Sequence, residues 1–82
     1  MPYFVYILEC ADSTFYIGST TDVSRRVAEH NTSPKGASYT RGRRPVTLMY
    51  EEERASRSIA QKREAELKKL SRAEKEKLIH SK

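Results

Sequence analysis

The sequence predicts one small α+β domain, in which a three-stranded antiparallel sheet is flanked by helices in the chain order β-β-α-β-α-α. Three observations lead to this fold class. Two segments rich in aromatic and β-branched residues are separated by a short turn, a third such segment follows a basic loop, and the C-terminal third of the chain has helical periodicity. At 82 residues, the chain suits a single domain over residues 1–82.

The first two strands are predicted at residues 3–10 and 15–18. The first of them is apolar at nearly every position, which is typical of a strand covered on both faces. Residues 11–14 are turn formers, so the two strands should pair as a hairpin. Because side chains alternate along a strand, Tyr6 and Tyr16 share a face only if the connecting loop has an odd number of residues.

A helix is predicted next, and its N-cap is one of three adjacent polar residues, Thr20, Thr21 or Asp22. Val23 and Val27 mark the buried side of this helix, which should end near Asn31. Arg26 and His30 follow Val23 at helical spacing and therefore share that side. A cation among core-facing residues is costly unless an anion meets it, and in a basic chain the natural anion is phosphate.

Residues 32–45 are predicted to form a polar loop, and residues 46–50 a third strand that runs antiparallel to the hairpin. The loop contains four basic residues, Lys35, Arg41, Arg43 and Arg44, and among them along the chain lies one aromatic residue, Tyr39. This cluster is the best candidate for contact with a phosphate backbone, and the alternative is a solvated, flexible loop. The three glutamates at 51–53 are expected to be solvated at the exit of the strand.

The C-terminal third is predicted to form two helices. An apolar stripe marks the first of them, at Ile59, Ala60, Leu67 and Leu70. Ser71 and Glu74 match a capping box, which predicts the start of a short second helix that ends with Leu78 and Ile79. This apolar end has two interpretations, which are docking on a partner protein and covering the core of its own domain.

Glu64 lies on or beside the apolar stripe, four residues after Ala60 and three before Leu67. A carboxylate at the margin of a core needs a partner, which is an arginine, a backbone donor or a metal ion. The structural interpretation is a salt bridge to Arg26 or Arg63, and the functional interpretation is a metal ligand.

Composition and charge narrow the possible function classes. The net charge is +5 and the isoelectric point is about 9.6, which favours binding to nucleic acid or anionic lipid. No window approaches the ~20 apolar residues of a membrane span, and the N-terminus has no signal-peptide pattern. The single cysteine, Cys10, excludes an internal disulfide and is expected to be a packed core thiol. We therefore expect a cytoplasmic protein that does not associate with a membrane.

Taken together, these residues resemble the GIY-YIG nuclease superfamily, and most closely its small single-domain bacterial branch. The matching elements, in chain order, are Val5-Tyr6, Tyr16-Ile17-Gly18, Arg26, His30, the loop Lys35-Gly36-Ala37-Ser38-Tyr39-Thr40-Arg41, the strand start Arg44-Pro45-Val46, and Glu64. The resemblance extends over essentially the whole chain. The chain departs from the family pattern at Phe4, which stands where the first motif has glycine.

The resemblance implies hydrolysis of DNA phosphodiester bonds with one divalent metal ion, Mg²⁺ or Mn²⁺, held by Glu64. It implies that Arg26 stabilises charge on the scissile phosphate and that His30 supports the phosphate or a tyrosine hydroxyl. Tyr6 and Tyr16 would orient or deprotonate the attacking water, and which of them acts as the base is left open. The implied partner is DNA, branched or damaged, in DNA repair or processing, and no protein partner is indicated.

A rival interpretation is a non-catalytic nucleic-acid-binding module that keeps the nuclease scaffold. The basic loop, the replacement at Phe4 and the expected lack of a second, DNA-selecting domain favour it. The two interpretations differ in which residues are essential. Catalysis requires Glu64, whereas simple binding depends on the loop residues Arg41, Arg43 and Arg44.

Overall fold

The computed structural model of the protein describes residues 2–33 and 35–81. Within these residues it contains three strands and four helices, which are β1 (Tyr3–Glu9), β2 (Phe15–Thr20), α1 (Val23–Thr32), α2 (Ser38–Arg41), β3 (Thr47–Arg54), α3 (Arg57–Lys68) and α4 (Arg72–His80). The strands form one antiparallel sheet in the order β2-β1-β3. The predicted α+β class and the antiparallel third strand are confirmed.

The register of the hairpin decides which side chains share a face. Five residues, 10–14, connect β1 to β2, and Tyr6 pairs with Gly18 while Leu8 pairs with Tyr16. Side chains of paired residues point to the same face, and alternate residues of a strand do too. Tyr6 and Tyr16 therefore lie on one face of the sheet, as an odd-length connection requires.

Each face of the sheet has its own core, and we name the faces after the central residues Tyr6 and Ile7. The core of the Tyr6 face comprises Tyr6, Leu8, Cys10 and Val46, with Tyr16 and Val27 packed against them. The core of the Ile7 face comprises Val5, Ile7, Ile17, Tyr50, Ala60 and Leu67. Helix α1 thus covers the Tyr6 face, while α3 and α4 cover the Ile7 face. Cys10 is buried, as predicted.

Local capping explains where the helices begin. The Asp22 side chain accepts a hydrogen bond from the backbone N–H of Arg25, which identifies Asp22 as the N-cap among the three predicted candidates. Ser71 and Glu74 form the predicted capping box at the start of α4. Leu78 and Ile79 of α4 pack against the core of the Ile7 face, which supports the interpretation that this helix covers its own domain.

Two sequence predictions about polar segments are corrected by the structure. The loop 32–45 contains one helical turn, α2, and the glutamate run 51–53 lies inside β3. The strand continues to Arg54 because it pairs with β1 along that whole length. Glu52 is half-buried there, and Arg63 of α3 and Arg54 neutralise its charge.

The buried side of α3 is narrower than the predicted stripe. Ala60 and Leu67 are fully buried, but the side chain of Ile59 is 47% exposed. Adjacent helical residues point about 100° apart, so a helix that seats Ala60 against the sheet turns Ile59 towards solvent. In the described part of the chain, no helix has the length and apolar character needed to cross a bilayer.

Candidate active site

A chain of buried side chains links the sheet, α1 and α2. The Tyr6 hydroxyl lies 2.9 Å from Nε2 of His30, and Nδ1 of His30 lies 2.8 Å from Oγ1 of Thr40. Their exposed fractions are 1% for Tyr6 and 0% for both His30 and Thr40. The predicted pairing of His30 with a tyrosine hydroxyl is therefore present, and Tyr6 is the tyrosine concerned.

His30 is held neutral. The pKa of its imidazole is lowered from 6.5 to about 4, mainly by burial and also by the nearby charges of Arg26 and Arg44, against the opposite effect of Glu29. A neutral imidazole has one nitrogen that donates and one that accepts. His30 is thus able to take a hydrogen bond from Tyr6 on one side and to give one on the other.

Gly18 makes room for the Tyr6 hydroxyl. A Cβ atom built on Gly18 would lie 2.5 Å from the Tyr6 hydroxyl oxygen and 2.7 Å from Cζ of the same ring. The phenol therefore extends from β1 towards β2 and lies directly over the β2 backbone at Gly18. The glycine of the second motif serves the site by the absence of its side chain.

Several charges act on the Tyr6 hydroxyl. The pKa of Tyr6 is raised from 10.0 to about 12, mainly by burial; Arg26 acts to lower it, and the neighbouring Tyr16 and Glu64 act to raise it. The predicted guanidinium, acid and second phenol thus all influence the Tyr6 oxygen. Burial also keeps that oxygen protonated in the free protein.

Arg26 lies between the helix and the loop. Its Nη1 donates to Oε1 of Glu29 at 3.0 Å and to the carbonyl oxygen of Lys35 at 2.8 Å. Burial alone would lower the pKa of the Arg26 guanidinium, but hydrogen bonds to Glu29 and Tyr6 raise it. Arg26 is therefore a charged, half-buried group whose position is fixed from several directions.

Tyr16 continues the aromatic contacts outward from the histidine. Its ring meets the His30 ring edge-on at a centroid distance of 5.1 Å, and Tyr39 stacks on Tyr16 at 5.8 Å. The guanidinium carbon of Arg43 lies 4.0 Å from the Tyr39 ring centroid, and Arg43 also binds Asp12. Two of the predicted nucleic-acid contacts, Tyr39 and Arg43, thus lie next to the candidate catalytic residues.

Glu64 approaches from α3. Its side chain lies beside the buried residues Ala60 and Leu67 and is 21% exposed. Its ion-pair partner is Lys68, with Nζ 2.8 Å from Oε2, and not Arg26 or Arg63 as the structural interpretation predicted. Helix α3 packs on the Ile7 face of β1 and β2, whereas the Tyr6 hydroxyl lies over β2 on the opposite face. The charge of Glu64 nevertheless acts on that hydroxyl and contributes to the raised pKa of Tyr6.

The donor set at Glu64 fits a magnesium-type ion better than a zinc-type ion. Within residues 2–33 and 35–81, no group of three or more His, Cys, Asp or Glu side chains is gathered as a metal cage. Mg²⁺ commonly keeps several waters and uses one or two carboxylates together with substrate phosphates. Lys68 is 54% exposed, and such a surface pair contributes little stability, so the lysine can leave the carboxylate at small cost.

The loop cations have different roles in the structure. Arg44 is half-buried and donates to the carbonyl oxygens of His30 and Ser33, each at 2.6 Å, so it caps the C-terminus of α1. The side chains of Lys35 and Arg41 are exposed. The prediction that Arg44 is an exposed cation of this loop is therefore wrong, since its partners lie 11 to 14 residues away along the chain and no local pattern indicates them.

Thr40 and Gly36 contribute to the site, although the sequence pattern predicted no role for either. Both fall inside the loop motif, but nothing local indicates their contacts. A Cβ on Gly36 would lie 2.8 Å from the Glu29 carbonyl oxygen and 2.9 Å from the Cα of His30, so the glycine allows the loop to lie directly on α1. This close approach brings Thr40 to the His30 ring.

Comparisons with known proteins identify a family model and relatives that match most of the chain. The family model described as the GIY-YIG catalytic domain matches residues 2–77. A UPF0213 protein of Halobacterium salinarum is 59% identical over 75 residues, covering 92% of this chain and 96% of the relative. A UPF0213 protein of Desulfotalea psychrophila is 54% identical over 77 residues, covering 94% of this chain and 70% of the relative.

Two solved structures are similar over the whole fold. The solution NMR structure of a UPF0213 protein from Bacillus halodurans is 49% identical, has a TM-score of 0.63, and is matched over 100% of this chain and 86% of that one. The solution NMR structure of a protein from E. faecalis is 44% identical, has a TM-score of 0.66, and is matched over 99% and 85%.

Proposed function

Because the chain belongs to the GIY-YIG catalytic-domain family, a nuclease family, we propose that it is an endonuclease that hydrolyses DNA phosphodiester bonds with one divalent metal ion, Mg²⁺ or Mn²⁺. One observation carries this proposal. The hydroxyl of Tyr6 is hydrogen-bonded to His30 and lies within the electrostatic range of Arg26, Tyr16 and Glu64, so an acid, a guanidinium and two phenols serve one small region.

Glu64 is the proposed metal ligand. When bound there, the ion acts as a Lewis acid on the phosphate and lowers the pKa of bound water. The protein contributes a carboxylate that is half-buried and easily released from Lys68. Glu64 thus supplies the negative charge that a divalent cation needs in a basic chain.

Tyr6 is the proposed group that orients the attacking water. Its oxygen is fixed by His30 and by the close contact with Gly18, so a water that donates to it is held in a defined position. With its pKa near 12 in the free protein, Tyr6 is a hydrogen-bonding group at neutral pH and becomes a base only when cations next to it favour the phenolate.

Arg26 is the proposed stabiliser of the charge that develops on the scissile phosphate. A preorganised guanidinium in a half-buried site costs little reorganisation when the phosphate arrives. Its hydrogen bonds to Glu29 and to the Lys35 carbonyl hold it in place beforehand.

The exposed part of the loop is the proposed DNA contact surface. Lys35 and Arg41 supply exposed charge, while Tyr39 and Arg43 connect this surface to Tyr16 of the site. Arg44 is left out of the surface because its guanidinium binds the end of α1.

The test is cleavage of linear, supercoiled and branched DNA by the purified protein in Mg²⁺ or Mn²⁺. We expect cleavage that chelation by EDTA abolishes, and a loss of about 100-fold or more in Glu64→Ala and in Arg26→Ala. Matched controls come from the same two helices. Glu66→Ala and Arg25→Ala each remove an exposed charge one or two positions away and should retain cleavage.

Equal traces of cutting by all variants would show contamination and would end the enzymatic interpretation. The rival binding module would then remain, and it makes a separate prediction. DNA affinity would be unchanged in Glu64→Ala and would fall in Arg41→Ala, with a shallower dependence on salt because one phosphate contact is lost.

A further inference from the structure

We propose that Thr40 is a positioning residue that holds His30 in the tautomer protonated on Nδ1, so that the Tyr6 oxygen faces the reacting water as a hydrogen-bond acceptor. The inference rests on the proposed function for its catalytic meaning. Its structural content, the position of one proton on His30, is testable without any nuclease assay.

The hydroxyl of Thr40 has two close polar neighbours, a carbonyl oxygen and a nitrogen of the His30 ring. Oγ1 of Thr40 lies 2.9 Å from the carbonyl oxygen of Ala37, and a carbonyl only accepts, so the single hydroxyl proton of Thr40 belongs to that contact. The backbone N–H groups of Thr40 and Arg41 close on the same carbonyl, which fixes the turn. The remaining contact of Oγ1, 2.8 Å to Nδ1 of His30, must then be donated by the histidine.

The consequence for the other nitrogen follows directly. Because His30 is neutral, its ring carries a single proton on nitrogen, and a proton on Nδ1 leaves Nε2 without one. Nε2 can then only accept a hydrogen bond. At 2.9 Å, the Tyr6 hydroxyl is therefore the donor and Nε2 the acceptor. The phenolic proton points into the protein and not towards the substrate.

The direction matters for the chemistry at Tyr6. In the arrangement proposed here, the phenolic oxygen presents its lone pairs to a water molecule, which is what a group that orients water requires. To deprotonate that water, Tyr6 would first have to pass its own proton to Nε2 of His30, which accepts its hydrogen bond. In the opposite tautomer, Nε2–H of His30 would donate to Tyr6, and the phenolic proton would turn outward. Tyr6 would then be a donor towards the water and could not accept its proton.

The loop is built to place Thr40 where this control is possible. Gly36 allows the loop backbone to lie on α1 beside His30. Ala37 is the N-cap of α2, and its carbonyl oxygen accepts the hydrogen bond of the Thr40 hydroxyl. Throughout the described part of the chain, every buried side-chain nitrogen and oxygen has a hydrogen-bond partner. Losing the Thr40 hydroxyl would leave Nδ1–H buried without one.

The experiment is nitrogen-15 NMR of the two imidazole rings in protein labelled at histidine, with the exposed His80 as an internal reference. Wild type should show His30 with a protonated-type Nδ1 and an unprotonated-type Nε2. In Thr40→Val the proton should move to Nε2, and DNA cleavage should fall tenfold or more. Thr40→Ser keeps the hydroxyl and should restore both properties.

The possible outcomes separate this inference from the proposed function. A wild-type His30 protonated on Nε2 overturns it, and so does a Thr40→Val protein that keeps the proton on Nδ1 and cleaves normally. If Thr40→Val does not fold, Thr40→Ala replaces it, and the wild-type spectrum still decides the tautomer. The expected tautomer in a protein that cleaves no DNA would support the positioning by Thr40 and would reject the nuclease activity.

Discussion

The two faces of the sheet use the same strands in different ways. On the Ile7 face, Val5, Ile7 and Ile17 pack against α3 and α4 in a core that is largely hydrocarbon. On the Tyr6 face, the corresponding position in the middle of β1 carries a phenol whose hydroxyl binds the fully buried His30. The Ile7 face is held mainly by non-directional burial, whereas the Tyr6 face combines apolar packing with a fully buried series of hydrogen bonds that have defined partners.

The difference shows where stability and chemistry come from in a small domain. Hydrocarbon packing tolerates changes of similar volume, because no single contact has a required direction. A buried polar chain has the opposite property, since removing one member leaves its neighbour without a partner at a cost of about 1–3 kcal/mol. The Ile7 face can therefore support the fold while the Tyr6 face keeps a fixed geometry for the site.

The largest expected effect comes from removing one oxygen on each face. Tyr6→Phe should reduce DNA cleavage about 100-fold or more, because the group that orients the water is lost. Tyr50→Phe is the matched control, since its hydroxyl binds Glu52 on the other side of the sheet. Cleavage rates and urea unfolding of both variants would be measured. Equal loss of activity in the two variants would contradict the assignment of roles to the faces.

The next effect is a pH dependence specific to the Tyr6 face. In the unfolded chain His30 becomes protonated near pH 6.5, whereas in the folded protein it stays neutral until about pH 4. The contribution of neutral His30 to the free energy of unfolding is therefore fully present above pH 6.5 and is lost as the pH falls towards 4. The loss should reach about 3 kcal/mol over this range. Urea unfolding at a series of pH values measures it.

The stabilising contributions of the carboxylates are also lost in acid, but in a lower pH range than that of His30. The pKa values of Glu29, Glu52 and Asp12 are lowered by their hydrogen-bond and ion-pair partners, so their contributions fall below about pH 4.5. The decrease in the free energy of unfolding between pH 6.5 and 5 should therefore disappear in His30→Gln and persist in His80→Gln. A flat wild-type profile in that window would show that His30 is not held neutral by the fold.

The smallest of these effects concerns the space above β2. Gly18→Ala forces a Cβ into the Tyr6 hydroxyl, which should cost about 1–3 kcal/mol and displace the phenol from its place in the site, with reduced cleavage. Gly42→Ala is the control, because a Cβ there meets nothing within 4 Å and the backbone has a φ of −88°. Thermal unfolding and cleavage of both variants would be compared; unchanged values in Gly18→Ala would show that the contact with Tyr6 is unimportant.

Much of the fold follows from patterns within a few residues of one another. The hairpin, the capping box of Ser71 and Glu74, and the buried side of α1 are all local features that the sequence predicts correctly. The exposure of Ile59 and the position of 51–53 inside β3 were missed. Both depend on which element packs beside the segment, and periodicity alone does not contain that information.

The candidate site divides in the same way. Sequence resemblance identified Tyr6, Tyr16, Arg26, His30 and Glu64 as a set. In the structure, His30 contacts both Tyr6 and Tyr16, while Arg26 and Glu64 act on Tyr6 through their charges. The resemblance gave no role to Thr40, and it treated Arg44 as a DNA contact although that guanidinium caps α1.

By itself, the sequence determined the order of the three strands and the three longer helices and the chemical types available to the site, because these follow from propensities and spacings of at most a few residues. Tertiary structure decided the partners that are distant along the chain, such as Arg63 for Glu52 and Thr40 for His30. Hydrogen bonds and ion pairs depend on distances of about 3 Å, and for groups that are not close neighbours along the chain only packing sets such distances.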